Sequence, residues 1–138
     1  VDDGLCCGDM TFLKALNQFE SKFPFGPKRE KDYTFTGIQI SQDDDFNIHL
    51  NQTEYVRSID AISIDHDRRK NEDLPVTESE RQSLRGLIGS LQYASTHTRP
   101  DLAAKTGHLQ SMVTRGKVHH LLEANRVLME GKKNSLCF

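Results

Sequence analysis

Apolar positions along the chain switch period several times, and each switch marks an element. Phe12, Leu13, Leu16, Phe19 and Phe23 fall on one helical stripe. Asp9 stands where it can cap that helix, and Pro24, Gly26 and Pro27 end it. Before it, Gly4-Leu5-Cys6-Cys7 has the character of a short return strand. Residues 33–42 then suggest one strand and Asp43-Asp44-Asp45 a polar turn. On the return strand, Phe46, Ile48 and Leu50 alternate with Asn47, His49 and Asn51, which predicts one buried face and one wet face. Gly37 inside the first strand predicts a bulge, a simple bend, or a close approach of backbone to a nucleic acid.

The second half is helical in pattern. Asn51 with Glu54 can open a helix carrying Tyr55, Val56, Ile59 and Ile62 on one face. Residues 65–74 are charged and without apolar periodicity, which predicts a mobile linker ending at Pro75. Thr77 and Glu80 have the spacing of a capping box for a helix that buries Leu84, Leu87, Ile88 and Leu91. Pro100 and Asp101 suit the first turn of the next helix, whose inner stripe is Leu102, Thr106, Leu109 and Val113. Gly116 separates it from a last helix with Val118, Leu121, Leu122, Asn125 and Leu128, and a terminal strand is expected from Leu136. The fold class that follows is α+β, with antiparallel hairpins first and helices after.

Length allows either one compact domain or a piece of something larger, since the chain has 138 residues. A start on Val1, in what resembles a strand, favours the piece. No apolar run approaches the roughly 18 residues of a membrane span, and no secretory apolar segment is present, so a soluble, intracellular protein without a membrane partner is expected. Cys6, Cys7 and Cys137 have neither a disulfide nor a zinc spacing, and reduced thiols are expected. The net charge of -2 is unremarkable, but its distribution is uneven. From Arg81 onward the only acids are Asp101, Glu123 and Glu130, against Arg81, Arg85, Arg99, Lys105, Arg115, Lys117, Arg126, Lys132 and Lys133. This half could follow a phosphate backbone, or simply present solvated helix faces.

Among candidate chemical groups, the adjacent Asp2 and Asp3 could share in holding divalent metal beside a phosphate, though nucleotidyl transfer needs a further carboxylate from another strand. His119 and His120 point about 100° apart on a helix and are expected not to chelate one ion together. Asp65-His66-Asp67 offers at most a weak metal site. There is no Gly-rich phosphate loop and no nucleophile elbow.

Taken in order, these segments resemble the reverse transcriptase (RNA-directed DNA polymerase) of Ty1/copia-type LTR retrotransposons. Val1-Asp2-Asp3 is similar to the end of the family's Tyr-Val-Asp-Asp box, and residues 12–26 to its following helix. Phe35-Thr36-Gly37-Ile38-Gln39-Ile40 resembles F-x-G-I-x-I, and Ile48-His49-Leu50-Asn51-Gln52-Thr53-Glu54-Tyr55 resembles I-x-L-x-Q-x-x-Y. The most specific match is Arg85-Gly86-Leu87-Ile88-Gly89-Ser90-Leu91-Gln92-Tyr93 leading into Thr98-Arg99-Pro100-Asp101-Leu102. His120, Ala124, Arg126 and Leu128 are similar to the segment leading toward the RNase H region.

The resemblance implies the end of a polymerase palm over residues 1–50, a helical thumb over 51–116, and the start of a connection over 117–138. It implies that Asp2 and Asp3 are the paired catalytic, metal-binding aspartates, working with two Mg2+ ions in the intact enzyme. Residues 39–50 would lie in or near the primer-grip hairpin, with Gly37 and Gln39 close to nucleic acid. Arg85 and Arg99 would contact the template-primer backbone, Arg99 having the alternative of anchoring a helix end to a carboxylate. The partners implied are an RNA/DNA template-primer duplex, deoxynucleoside triphosphates, and the fingers, upstream palm and RNase H portions of the parent polyprotein. The parent element would work in the cytoplasm, a virus-like particle or the nucleus.

The chain departs from the family pattern in the 65–74 segment and at Met129-Glu130, where an aromatic residue and Leu are usual. The upstream palm aspartate is not among these residues, so this piece by itself is not expected to polymerise. The alternatives are a non-catalytic nucleic-acid-binding remnant of a decayed element, and a purely structural relic.

Overall fold

A computed structural model describes residues 4–134 and shows a mixed α+β chain. Its elements are α1 (Met10–Lys22), β1 (Asp32–Phe35), β2 (Ile38–Gln42), β3 (Ile48–Asn51), α2 (Thr53–Ser58), α3 (His66–Arg69), α4 (Glu78–His97), α5 (Ala103–Met112) and α6 (Val118–Lys133). The three strands form one sheet in the order β1-β2-β3. The chain divides into two compact units between His49 and Leu50, within β3. The strand expected from Leu136 lies outside the described residues.

In the first unit Asp9 caps α1 as its sequence position suggests, accepting from the Thr11 and Phe12 amides at 3.0 and 2.9 Å. The stripe on α1 is left open, with Leu13, Phe19 and Phe23 all exposed. Residues 33–42 do not form one strand. Thr36 and Gly37 both take positive φ, 48° and 83°. These values build a two-residue turn of the hairpin-favoured mirror type. Phe35 therefore pairs with Ile38, and Tyr33 with Ile40. Gly37 is a turn residue rather than a bulge, and the left-handed backbone there accounts for its being glycine.

The Asp43 turn is held by its own side chain. Asp43 accepts from the Asn47 amide at 2.8 Å and the Asn47 Nδ2 at 2.9 Å, and faces His49 Nε2 at 3.1 Å. The Asn47 side chain foremost, then His49, hold the Asp43 carboxyl down at about 2. The expected buried face of the return strand is not formed: Phe46 is 80% exposed and Ile48 60%.

The second unit holds the core. Thr77 and Glu80 make the reciprocal box, the Thr77 amide donating to Glu80 Oε2 at 2.8 Å and the Glu80 amide to Thr77 Oγ1 at 3.2 Å. α4 then buries Leu84, Leu87, Ile88 and Leu91. Pro100–Leu102 is a 3-10 turn that feeds α5, and Leu102, Thr106, Leu109 and Val113 are all buried, as their spacing predicts. α6 packs on α2, α4 and α5, and contributes Val118, Leu121, Ala124, Val127 and Leu128 to the same core. Burying a leucine of this kind stabilises the fold by about 1.5–3 kcal/mol.

α2 stops at Ser58, so Ile59, Ile62 and Ile64 reach the core from an irregular segment and not from a helix face. Asn125 on α6 brackets that segment, accepting from the Ile62 amide at 2.8 Å and donating to the Ile62 carbonyl at 2.9 Å. Residues 65–74 are pinned, not free. Asp65 caps α3, and the Arg68 guanidinium forks onto Glu80 at 2.6 and 2.8 Å while also reaching the Pro75 carbonyl at 2.8 Å. Polar bonds do here what apolar periodicity does elsewhere.

Gly131 marks a close approach of α6 to its neighbours. A Cβ added there would stand 3.2 Å from Leu102 Cδ1 and 3.3 Å from Val56 Cγ1.

Candidate nucleic-acid interface

Asp2 and Asp3 lie outside the described residues. Among the described residues no three His, Cys, Asp or Glu side chains gather as a metal-binding set. Asp65 and Asp67 are occupied locally, by the cap of α3 and by Lys70 at 2.7 Å. Gly37 sits in the β1–β2 turn, and Gln39, half-buried on β2, pairs with Thr34.

Arg99 is placed as an anchor. Its side chain is 4% exposed, its Nε and Nη2 grip Asp101 at 2.9 and 2.7 Å, and its Nη1 donates to the Gly131 carbonyl at 2.6 Å. The Arg99 guanidinium, opposed by burial, holds the Asp101 carboxyl below its usual value. This buried fork joins the start of α5 to the end of α6 and leaves no face for a phosphate. Arg85, on the outer side of α4, is exposed.

Most cations of the second half are similarly committed. Arg81 lies 3.5 Å from Glu78, Lys105 bonds Glu130 at 2.7 Å, Lys117 bonds Asp73 at 2.9 Å, and Lys132 donates to the Ile59 carbonyl at 2.6 Å. The charge count of the sequence therefore overstates the positive field. Part of what remains gathers at one place. A groove of about 530 Å3 between α3 and α6 is lined by Arg69, Leu122, Asn125, Arg126, Met129, Glu130 and Lys133. Arg126 and Lys133, two turns apart, share a face of α6. Arg69 comes from α3 and, among the described residues, bonds through its Nε to the Ile64 carbonyl at 3.0 Å. Glu130, the one acid in the lining, faces Lys105. The 126/133 spacing was visible in the sequence; Arg69 was hidden because its segment has no helical pattern. A second groove, about 410 Å3 and lined by Ser58, Asp60, Ser63, Ser83 and Ser90 among others, carries no cation.

The segments carrying the family resemblance meet in space. Thr98 Oγ1 donates to Gln52 Oε1 at 2.9 Å, and both residues are 1% exposed. Tyr55 meets Tyr93 edge to face at 5.2 Å between ring centres. Gln52 and Tyr55 are the polar and aromatic positions of one motif, and Tyr93 and Thr98 belong to the other. No family model matches the chain, and neither the curated proteins nor the solved structures contain a significant match.

No helix among the described residues is long and apolar enough to cross a membrane.

Proposed function

We propose that the chain is the palm-end, thumb and connection-start portion of a Ty1/copia-type reverse transcriptase, whose intact enzyme copies RNA or DNA templates by nucleotidyl transfer. The observation that carries this reading is the mutual packing of the two motif segments: Gln52 on Thr98 and Tyr55 on Tyr93. Residues that resemble the family at separate places in the sequence serve one joint in the fold, which is what a shared architecture requires.

In this reading two magnesium ions would supply activation of the primer hydroxyl and charge neutralisation of the triphosphate. Asp2 and Asp3 would contribute two of the carboxylates that hold them. The helical unit grips the template-primer duplex through its backbone, a sequence-independent task for a basic surface. Arg69, Arg126 and Lys133 are the cations that support this role, with Arg85 as an outlying contact.

The deciding experiment joins the chain to the coding sequence upstream of Val1 and assays primer extension. Asp2→Asn and Asp3→Asn should each abolish extension while leaving duplex binding within about twofold. An upstream sequence without a palm strand and its own aspartate would sink the enzyme reading.

The second reading, a binding remnant without catalysis, is favoured by the groove alone, since its cations need no partner domain. Gel shifts of a primer-template duplex by the 138-residue chain test it. Arg126→Ala with Lys133→Ala should make the log–log salt slope of binding shallower by about 1 for each phosphate no longer neutralised.

A further inference from the structure

His119 and His120, at the start of α6, form a relay whose proton positions are fixed by the backbone around it. The Lys117 amide donates to His120 Nδ1 at 2.9 Å, so that nitrogen must be bare and the proton must sit on Nε2. His120 Nε2 faces His119 Nε2 at 3.1 Å, which makes His119 the acceptor there. The proton of His119 is then on Nδ1, aimed at the Glu72 carbonyl 3.3 Å away. Every bond in this row has one donor only if both rings are neutral. An added proton puts two N–H groups face to face, either between the rings or against Lys117.

The row stitches α6 to residues 72–76. The same seam includes the His119 amide on the Glu72 carbonyl, the Val118 amide on the Leu74 carbonyl and the Val76 amide on the Gly116 carbonyl, each at 3.0 Å, and the Lys117–Asp73 ion pair.

We propose that the His119–His120 pair is a proton-operated latch, closed when both imidazoles are neutral and opened by acid, that fastens segment 72–76 to the N-terminus of α6.

The surroundings add to the geometry. His120 is 8% exposed. Burial first, then His119, with His108 and Lys117 adding, pushes its pKa down, and only Glu123 opposes them. The charged groups facing it are thus His119 and Glu123 on α6, His108 from α5, and Lys117 with its partner Asp73 at the seam. Because the folded pKa lies below the ordinary histidine value, the latch is fully closed above about pH 6.5 and fails as pH drops through that lower value. A resident metal would not suit the row, since a ligating imidazole carries its proton on the other nitrogen and His120 Nδ1 is already an acceptor. The latch stands independently of the polymerase reading.

The test is an NMR pH titration of the whole chain with amide exchange. On going from about pH 7.5 to about 5.5, protection of the Lys117 and His119 amides should fall severalfold relative to the Leu84 and Leu91 amides, in the direction set by the lowered His120 pKa. His120→Gln, which keeps an acceptor for the Lys117 amide, should abolish that fall. His108→Gln should preserve it. Loss of the fall in His108→Gln, or its survival in His120→Gln, would overturn the latch. If His120→Gln does not fold, ring nitrogen shifts of the unaltered chain decide: a proton on Nδ1 of His120 at neutral pH rejects the proposal, and one on Nε2 supports it.

Discussion

The two units show what an amphipathic pattern can and cannot secure. α1 carries as clear an apolar stripe as α4, yet no described residue of the first unit is buried, whereas α4 alone buries Leu84, Leu87, Ile88, Leu91, Ala94 and Ser95. Both helices are capped. The difference is that α4 finds α5 and α6 to pack on within its own unit, while α1 finds no equivalent helices in the first. Local capping starts a helix; burial against neighbours provides most of its stability.

The largest expected effect tests that contrast directly. Leu91→Ala or Leu121→Ala, both at fully buried positions, should cost about 2–5 kcal/mol in denaturant unfolding. Leu13→Ala on the open stripe of α1 should cost less than about 0.5 kcal/mol. Equal costs would break the comparison. Next in size is Arg99→Met, which strands the Gly131 carbonyl and should lose about 1–3 kcal/mol; Arg99→Lys should not restore it, lacking the planar fork.

Smaller still is the acid limb of the second unit. Burial pushes the Glu80 carboxyl up, but its bonds to Arg68 and Thr77 outweigh that and leave it below its usual 4.5. Its contribution is therefore present above that value and is lost as pH falls through the folded one. Glu80→Gln should flatten the melting temperature against pH in this window, and an unchanged slope would remove Glu80 from the account. The smallest effect belongs to the first unit. Thr36 holds φ at 48° in the β1–β2 turn, a region that asparagine tolerates better than a β-branched residue. Thr36→Asn should stabilise the hairpin by about a few tenths of a kcal/mol, read from cross-strand NMR signals between Phe35 and Ile38.

What the sequence disclosed follows the same division. The Thr77/Glu80 box and the spacings of α4, α5 and α6 were legible because helix periodicity and burial agree there. The β1–β2 turn was missed because Thr-Gly is a poor announcement of two left-handed residues in succession. Residues 65–74 read as a linker because Arg68 and Asp65 stabilise them through specific polar bonds, which leave no periodic trace. Ile59 and Ile62 kept their buried places but lost their helix, since apolar composition alone does not fix backbone conformation. For the candidate interface, Arg126 and Lys133 were countable in advance, whereas the burial of Arg99 and the surface pairing of Lys105 with Glu130 and Lys117 with Asp73 were not. Nor could residue spacing foresee that two adjacent histidine rings would turn toward each other.

Gly131 shows how the end of α6 keeps its place. With Leu102 and Val56 only 3.2 and 3.3 Å from where its Cβ would stand and Arg99 holding its carbonyl, even a methyl group there would make neighbours that are themselves buried give by a few tenths of an ångström. The position works as a keyhole, filled by other residues' atoms, so the last turn of this helix is located by an omission in its own sequence.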